Sequence, residues 1–322
     1  MIELFERLGL FGNVLLLLVS LFILDRASDL VDNAVMVAEI TGLGKTTIGF
    51  VLVAMTTTIP ELSVSVLTAL GMEDVGIAIG NALGSNVVNI CLILGAAFLL
   101  ASLKNSEARS ITIREEVEAL YFGLFAASMI PLILIYIGYA SMVIGVILIA
   151  FFAYNIYRLS KRKKADDGTL PHLGNGKLKR HVFLTIAGVI IVVASAYLIM
   201  DSASYIAEWM EIPRVVIGAT IVAFGTSMPE FANSLKSSMK GQVELALGNI
   251  VGSCFIDVTL ILGVALIGQN FGVNMAAYTG LATFALTACL ILWYFISSKR
   301  ISWKEGAVLL FLHVCVVHGI SS

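Results

Sequence analysis

The chain has 322 residues, of which 59% are hydrophobic and 13% charged, with a mean hydropathy of +0.97 and a formal net charge of −2. A soluble domain carries about 25% charged residues, so this composition excludes a soluble globular fold and indicates a polytopic membrane protein. The near-neutral charge singles out no macromolecular partner, and no nucleic-acid partner is expected.

The N-terminal stretch "MIELFERLGLFGNVLLLLVSLFIL" starts acidic and carries no small-residue cleavage site; it is expected to be a retained first span rather than a signal peptide. A span needs about 20 mainly apolar residues. Ten stretches qualify, near 8–36, 46–70, 75–102, 113–136, 138–158, 182–209, 214–238, 243–268, 275–297 and 303–320. One polar stretch, "RLSKRKKADDGTLPHLGNGKLKRH" from Arg158 to His181, interrupts them and reads as a linker. The chain therefore divides into a first half (1–158), a basic linker (159–181) and a second half (182–322). With the linker cytoplasmic, 17 of the 20 Lys and Arg residues fall on the cytoplasmic side, which places both termini outside.

The two halves repeat each other. "GFVLVAMTTTIPELSVSVLTA" (49–69) matches "GATIVAFGTSMPEFANSLKSS" (218–238) at an offset of 169, and "AIGNALGSNVVNICLILG" (78–95) matches "ALGNIVGSCFIDVTLILG" (246–263) at an offset of 168. Asp32 aligns with Asp201 at the first offset. The shared letters include Pro, Glu, Asn and Ser, which two unrelated apolar helices would not reproduce. A repeat of five spans, an odd number, makes the halves enter the membrane from opposite sides. Inverted repeats with interrupted helices point to a secondary transporter whose site lies near the midplane. The expected fold is an all-α polytopic membrane protein, ten transmembrane helices in two five-helix inverted-topology repeats, with helices 2, 3, 7 and 8 broken.

Pro60 and Pro229 each lack an N–H and clash with a carbonyl four residues back, so the helix kinks or unwinds there. Irregular backbone at membrane depth survives inside protein or beside a water-filled cavity. Glu61 and Glu230 follow at once, and a buried membrane carboxylate is a functional candidate by default. Two ionised carboxylates about 5 Å apart repel by roughly 3 kcal/mol at an effective dielectric near 20, so protons or a cation must neutralise them. Thr58 and Glu61, like Ser227 and Glu230, are spaced i,i+3; Ser85 and Asn89, like Ser253 and Asp257, are spaced i,i+4; each pair shares a helix face. The donors are all oxygens, which suits Ca²⁺, Na⁺ or Mg²⁺ rather than Zn²⁺ or Cu²⁺.

Other features read more plainly. The glycines of the GNxxGS motifs and Gly95 with Gly263 read as close-packing positions. Cys91, Cys254, Cys289 and Cys315 lie in apolar segments without CxxC spacing and read as small buried hydrophobes. Asp25, Arg26 and Asp29 are spaced for local charge pairing, with a role in admitting cations as a second reading. The histidines receive no role, and "KRKK" (161–164) reads as an orientation determinant that also suits anionic lipid.

These motifs, "GTSMPE" followed by "GNIVGS" in the second half and their variant in the first, resemble those of the cation/calcium antiporter superfamily, and within it the sodium/calcium exchangers. The resemblance covers essentially the whole chain, and the short linker looks like that of a prokaryotic member. It implies a Ca²⁺ site built by Glu61 and Glu230 with the backbone carbonyls of Thr57 and Thr226. It implies flanking Na⁺ sites using Ala54, Thr58 and Ser85 on one side and Ala223, Ser227 and Ser253 on the other, with both glutamates shared and Asn89 and Asp257 around the middle. No cofactor is implied; the ions carried are Na⁺ and Ca²⁺, exchanged by alternating access across the cytoplasmic membrane, and the chain is expected to work as a monomer in the lipid bilayer. Two positions depart from the family pattern: Thr56 stands for a glycine, and Cys254 for an amide beside Ser253. An H⁺/Ca²⁺ antiporter of the same superfamily is the alternative; an intramembrane enzyme using two carboxylates as acid and base has no need of inverted repeats.

Overall fold

The computed structural model describes residues 2–31, 54–71, 75–104, 111–112, 118–160, 218–268, 273–298 and 300–321, with scattered positions between 180 and 216. Most of the linker, Asp32 and the side chains of Asp25, Asp29 and Thr56 lie outside the described residues.

Helix α1 (Ile2–Val31) turns at Gly9, whose φ of 61° is one that a side chain resists, so a short leading piece is set off from the apolar stretch that follows. Beyond Gly9 the helix is inverted relative to a soluble one: Asn13 and Ser20 are buried while Phe11, Leu15, Leu18 and Phe22 are exposed. That is the pattern of a helix whose outer face meets lipid. Arg26 lies over the Phe22 ring, 5.3 Å from its centroid.

The repeated motifs form matching broken helices. Helices α2 (Ala54–Thr57) and α3 (Ile59–Ala69) are interrupted at Thr58 (φ −81°, ψ 9°). A π-helical turn over Gly218–Val222 leads into α8 (Ala223–Thr226), which is separated from α9 (Met228–Met239) by Ser227 (φ −80°, ψ 8°). The two breaks have the same geometry. Each proline falls in the first turn of the following half-helix, where a missing N–H costs nothing.

Between these lie α4 (Val75–Val87), a π-helical turn over Val88–Leu94 and α5 (Gly95–Lys104), then α6 (Glu118–Ile137) and α7 (Met142–Ser160). The second half continues with α10 (Val243–Ile256), a π-helical turn over Asp257–Ile261, α11 (Leu262–Ile267), a 3₁₀ turn over Met275–Tyr278, α12 (Thr279–Ser297) and α13 (Trp303–Ser321). The expected breaks in helices 3 and 8 are thus π-helical turns within continuous rods. Neither stretch contains a proline, so the helix stays closed and takes up its extra residue by widening, a device common at functional sites.

Among the described residues, four helices are long and apolar enough to cross a membrane: Val75–Leu103, Leu120–Ile137, Val243–Ile267 and Met275–Ser297. The first and third are 67% and 83% buried and the other two 44% each, so the GNxxGS helices form the centre and the others the periphery. Close backbone contact holds them there. A Cβ on Gly306 would stand 2.7 Å from the Gly95 carbonyl, and one on Gly145 2.7 Å from the Gly263 carbonyl, so α13 packs on α5 as α7 packs on α11. Phe255 of α10 ties in α6 and α7 through Phe122, Phe151 and Phe152, with ring centroids 5.9 to 6.3 Å away.

Two short antiparallel ribbons join the loops. β1 (Ile111–Thr112) pairs with β4 (Arg300–Ile301), and β2 (Tyr139–Ala140) with β3 (Val273–Asn274). The ten-span count puts the first pair of loops on one membrane side and the second pair on the other, and each ribbon joins loops expected on the same side.

Candidate functional site

The two helix breaks and the two central rods bring the repeated polar residues together. Glu61 and Glu230 are 1% and 0% exposed, each in the first turn of its second half-helix, and Asp257 is 1% exposed at the start of its π-helical turn. The charged groups acting on Glu61 are Glu230 and Asp257, and Glu230 also acts on Asp257. Three acids therefore share one buried region. Among the described residues, no three Asp, Glu, His or Cys side chains are arranged to hold a metal ion by themselves; any cation here draws on neutral oxygens as well.

Those oxygens are present. Ser227 Oγ donates to Glu61 Oε1 at 3.4 Å and Ser253 Oγ to Glu230 Oε1 at 3.3 Å. Each glutamate also accepts from its own backbone N–H. Among the described residues, the second oxygens, Glu61 Oε2 and Glu230 Oε2, are buried without a donor, as are both oxygens of Asp257, Ser85 Oγ and the side-chain oxygen of Asn89. Leaving one such atom unpaired costs about 1–3 kcal/mol. Several acceptors in one place, with carboxylates among them, form a set that a hard cation completes.

The threonines tie the halves together. Thr226 Oγ1 donates to Asn81 Oδ1 at 3.0 Å, and its counterpart Thr57 Oγ1 donates to Asn249 Oδ1 at 3.3 Å. Thr58 Oγ1 donates to the Ala54 carbonyl at 2.8 Å, which also accepts the Thr58 N–H at 3.0 Å and Thr57 Oγ1 at 3.3 Å. The Ala223 carbonyl takes the Ser227 N–H at 3.1 Å and Thr226 Oγ1 at 3.4 Å. Each alanine carbonyl thus already accepts a backbone N–H, and the Ala54 carbonyl the Thr58 hydroxyl as well.

All twelve expected site residues, Ala54, Thr57, Thr58, Glu61, Ser85, Asn89, Ala223, Thr226, Ser227, Glu230, Ser253 and Asp257, are buried in the helix breaks and central rods. Asn81 and Asn249 received no role from the sequence, although both sit in the repeated G-N dipeptide; their function shows only when the opposite half's threonine is placed against them. Three of the four cysteines are buried and all are free. Cys254 is buried beside Ser253, where the first half has Asn86 with both amide atoms unpaired.

Comparison with known proteins identifies relatives of the chain. The family described as sodium/calcium exchanger protein matches residues 12–161 and 180–320. Sodium/calcium exchanger MaX1 of Methanosarcina acetivorans is 28% identical over 94% of this chain and 96% of its own. The putative antiporter CaxA of Alkalimonas amylolytica is 31% identical over 91% of this chain and 93% of its own. The solved structure of the sodium-calcium exchanger NCX_Mj soaked with 10 mM Na⁺ and 10 mM Sr²⁺ is similar with a TM-score of 0.77 at 26% identity, covering 95% of this chain and 97% of that one. Its fold and its motifs together place the chain in the sodium/calcium exchanger protein family, among integral membrane cation/calcium antiporters that carry Na⁺ and Ca²⁺ as transported ions, use no cofactor and are not enzymes.

Proposed function

We propose that this protein exchanges Na⁺ for Ca²⁺ across the cytoplasmic membrane by alternating access, with Ca²⁺ held between Glu61 and Glu230. The observation that carries the proposal is the pair of buried carboxylates at equivalent positions of the two motifs, each with one oxygen lacking a donor and with negative neighbours. In this reading the Thr57 and Thr226 carbonyls complete the Ca²⁺ site. Na⁺ takes Ala54, Thr58 and Ser85 on one side and Ala223, Ser227 and Ser253 on the other, sharing the glutamates, with Asn89 and Asp257 between. Sodium and calcium compete because they need the same oxygens, and a shell of hydroxyls favours sodium over protons, which require no such cage.

The proposed architecture is ten spans in two inverted halves, 1–158 and 182–322, joined by the cytoplasmic linker 159–181, with both termini outside and the monomer as the working unit. The matched breaks at Thr58 and Ser227, the matched glycine contacts and the two loop ribbons support it. The deciding experiment is ⁴⁵Ca²⁺ uptake into proteoliposomes under an outward Na⁺ gradient and, separately, a pH gradient. Uptake is expected with the Na⁺ gradient; uptake driven by the pH gradient alone would replace this reading with proton exchange.

A further inference from the structure

Asn81 and Asn249 hold the same place in the two repeated motifs, and their side-chain carbonyls do the same thing, each accepting a threonine hydroxyl from the opposite half. Their amide groups differ. Asn249 Nδ2 donates to Ser234 Oγ at 3.1 Å, fastening α10 to α9. The corresponding groups of the first half, Asn81 Nδ2 and Ser65 Oγ, are both buried and both without a partner among the described residues, although α3 and α4 are in contact. Ser65 and Ser234 stand four residues beyond Glu61 and Glu230, on the same face of their half-helices. One bond of an equivalent pair is made and the other is not. Buried amides and hydroxyls are mostly paired in folded proteins, so an open pair whose twin is closed marks a difference between the two halves.

The closed pair lies toward the turn at Gly241 and the open pair toward the turn at Gly71. On the ten-span topology these turns are at opposite membrane faces. We infer that Asn81–Ser65 and Asn249–Ser234 are reciprocal latches. Asn249–Ser234 holds the α9–α10 side shut while the α3–α4 side is released, and the two exchange roles when the ion site turns to the other face. Because each asparagine also holds the other half's ion-site threonine, closing a latch positions a group beside the carboxylates. Asn81 and Asn249 act as positioning residues, and the serines are the partners they make and lose. The inference rests on the alternating-access reading above.

The test uses the full-length protein with Ser65→Ala and Ser234→Ala, which leave the asparagine–threonine bonds intact. In proteoliposomes, Ca²⁺ transport is measured from each face. Ser234→Ala is expected to lower the apparent KM at the face bearing the turn at Gly241 and raise it at the opposite face. Ser65→Ala is expected to do the reverse. Each shift should be roughly three- to tenfold, the change in state population from one lost hydrogen bond. A general loss of stability would move both faces in the same direction in both variants, and that result, or no shift, overturns the latches. Hydrogen–deuterium exchange on the detergent-solubilised protein needs no transport. In Ser234→Ala it should rise over 234–242 and fall over 65–71, and an unchanged pattern also overturns the inference. If exchange shifts as expected while a pH gradient rather than Na⁺ drives Ca²⁺ transport in the unsubstituted protein, the sodium reading fails and the latches stand.

Discussion

Thr226 donates its hydroxyl to the Asn81 side chain at 3.0 Å, a bond between residues 145 positions apart that belong to different motifs. Thr57 and Asn249 make the counterpart bond across 192 positions. Each threonine is therefore held by the opposite half. Each helix break is thus bonded to the central rod of the other repeat.

The first prediction concerns that bond. Thr226→Val keeps the shape of the side chain, leaves Asn81 Oδ1 without its donor and removes a hydroxyl that also acts on Glu61, at a cost of about 1–3 kcal/mol. The variant should melt at a lower temperature and show weakened Ca²⁺ transport. Thr220→Val is the control, because among the described residues Thr220 Oγ1 donates to the Val216 carbonyl four positions back, at 2.6 Å. Equal effects of the two changes in thermal melting and ⁴⁵Ca²⁺ uptake would remove the special standing of the cross-repeat bond.

Thr58→Ala removes a hydroxyl 2.8 Å from the Ala54 carbonyl in the first helix break. On the proposed assignment both atoms serve Na⁺, so the Na⁺ activation curve should shift to higher concentration by roughly fivefold, the equivalent of about 1 kcal/mol, with a smaller change in Ca²⁺ affinity. An unmoved Na⁺ curve argues against a sodium site at Thr58.

The third prediction tests the contact that seats the central rod of the first half. A Cβ on Gly84 would stand 2.5 Å from the backbone oxygen of Ala219, in the π-helical turn leading to α8. Backbone cannot move aside as a side-chain tip can, so Gly84→Ala should cost about 1–3 kcal/mol and impair transport. Gly280→Ala meets nothing within 4 Å and should be tolerated. Melting temperatures of the two variants in detergent check this, and equal melting would contradict the close contact.

A fourth prediction lies away from the site. Ser302 precedes α13, and Glu305 Oε2 accepts both its N–H at 2.7 Å and its hydroxyl at 2.5 Å, closing off the helix start. Ser302→Ala should lower stability by about 1 kcal/mol while leaving the Na⁺ and Ca²⁺ activation curves in place. A changed ion affinity would mean that this helix end communicates with the site.

Much of this was legible in the residues. Pro60 and Pro229 foretell the breaks, which the structure sets just ahead of each proline, at Thr58 and Ser227, because a proline is tolerated only near the start of the next helical segment. Gly71 and Gly241, both with positive φ, close the turns after α3 and α9. The widened turns beginning at Val88 and Asp257 were not legible, since an apolar run without proline suits an α-helical or a π-helical spacing equally well. Nor was the role of Asn81 and Asn249: in sequence each is an asparagine after a glycine on a buried helix, and its partner is fixed only by tertiary packing. The unequal state of Ser65 and Ser234 was beyond reach for a further reason, because a repeat in sequence predicts equivalent surroundings, and a transporter at rest in one state need not have them.

The central claim is that one carboxylate from each half holds the same Ca²⁺ ion. It is tested most directly by ⁴⁵Ca²⁺ uptake into Na⁺-loaded proteoliposomes containing Glu61→Gln or Glu230→Gln, each nearly isosteric and each removing one charge. Exchange should be abolished in both variants while the protein remains folded by thermal melting. Full exchange with unchanged Ca²⁺ affinity in either variant would contradict a shared site.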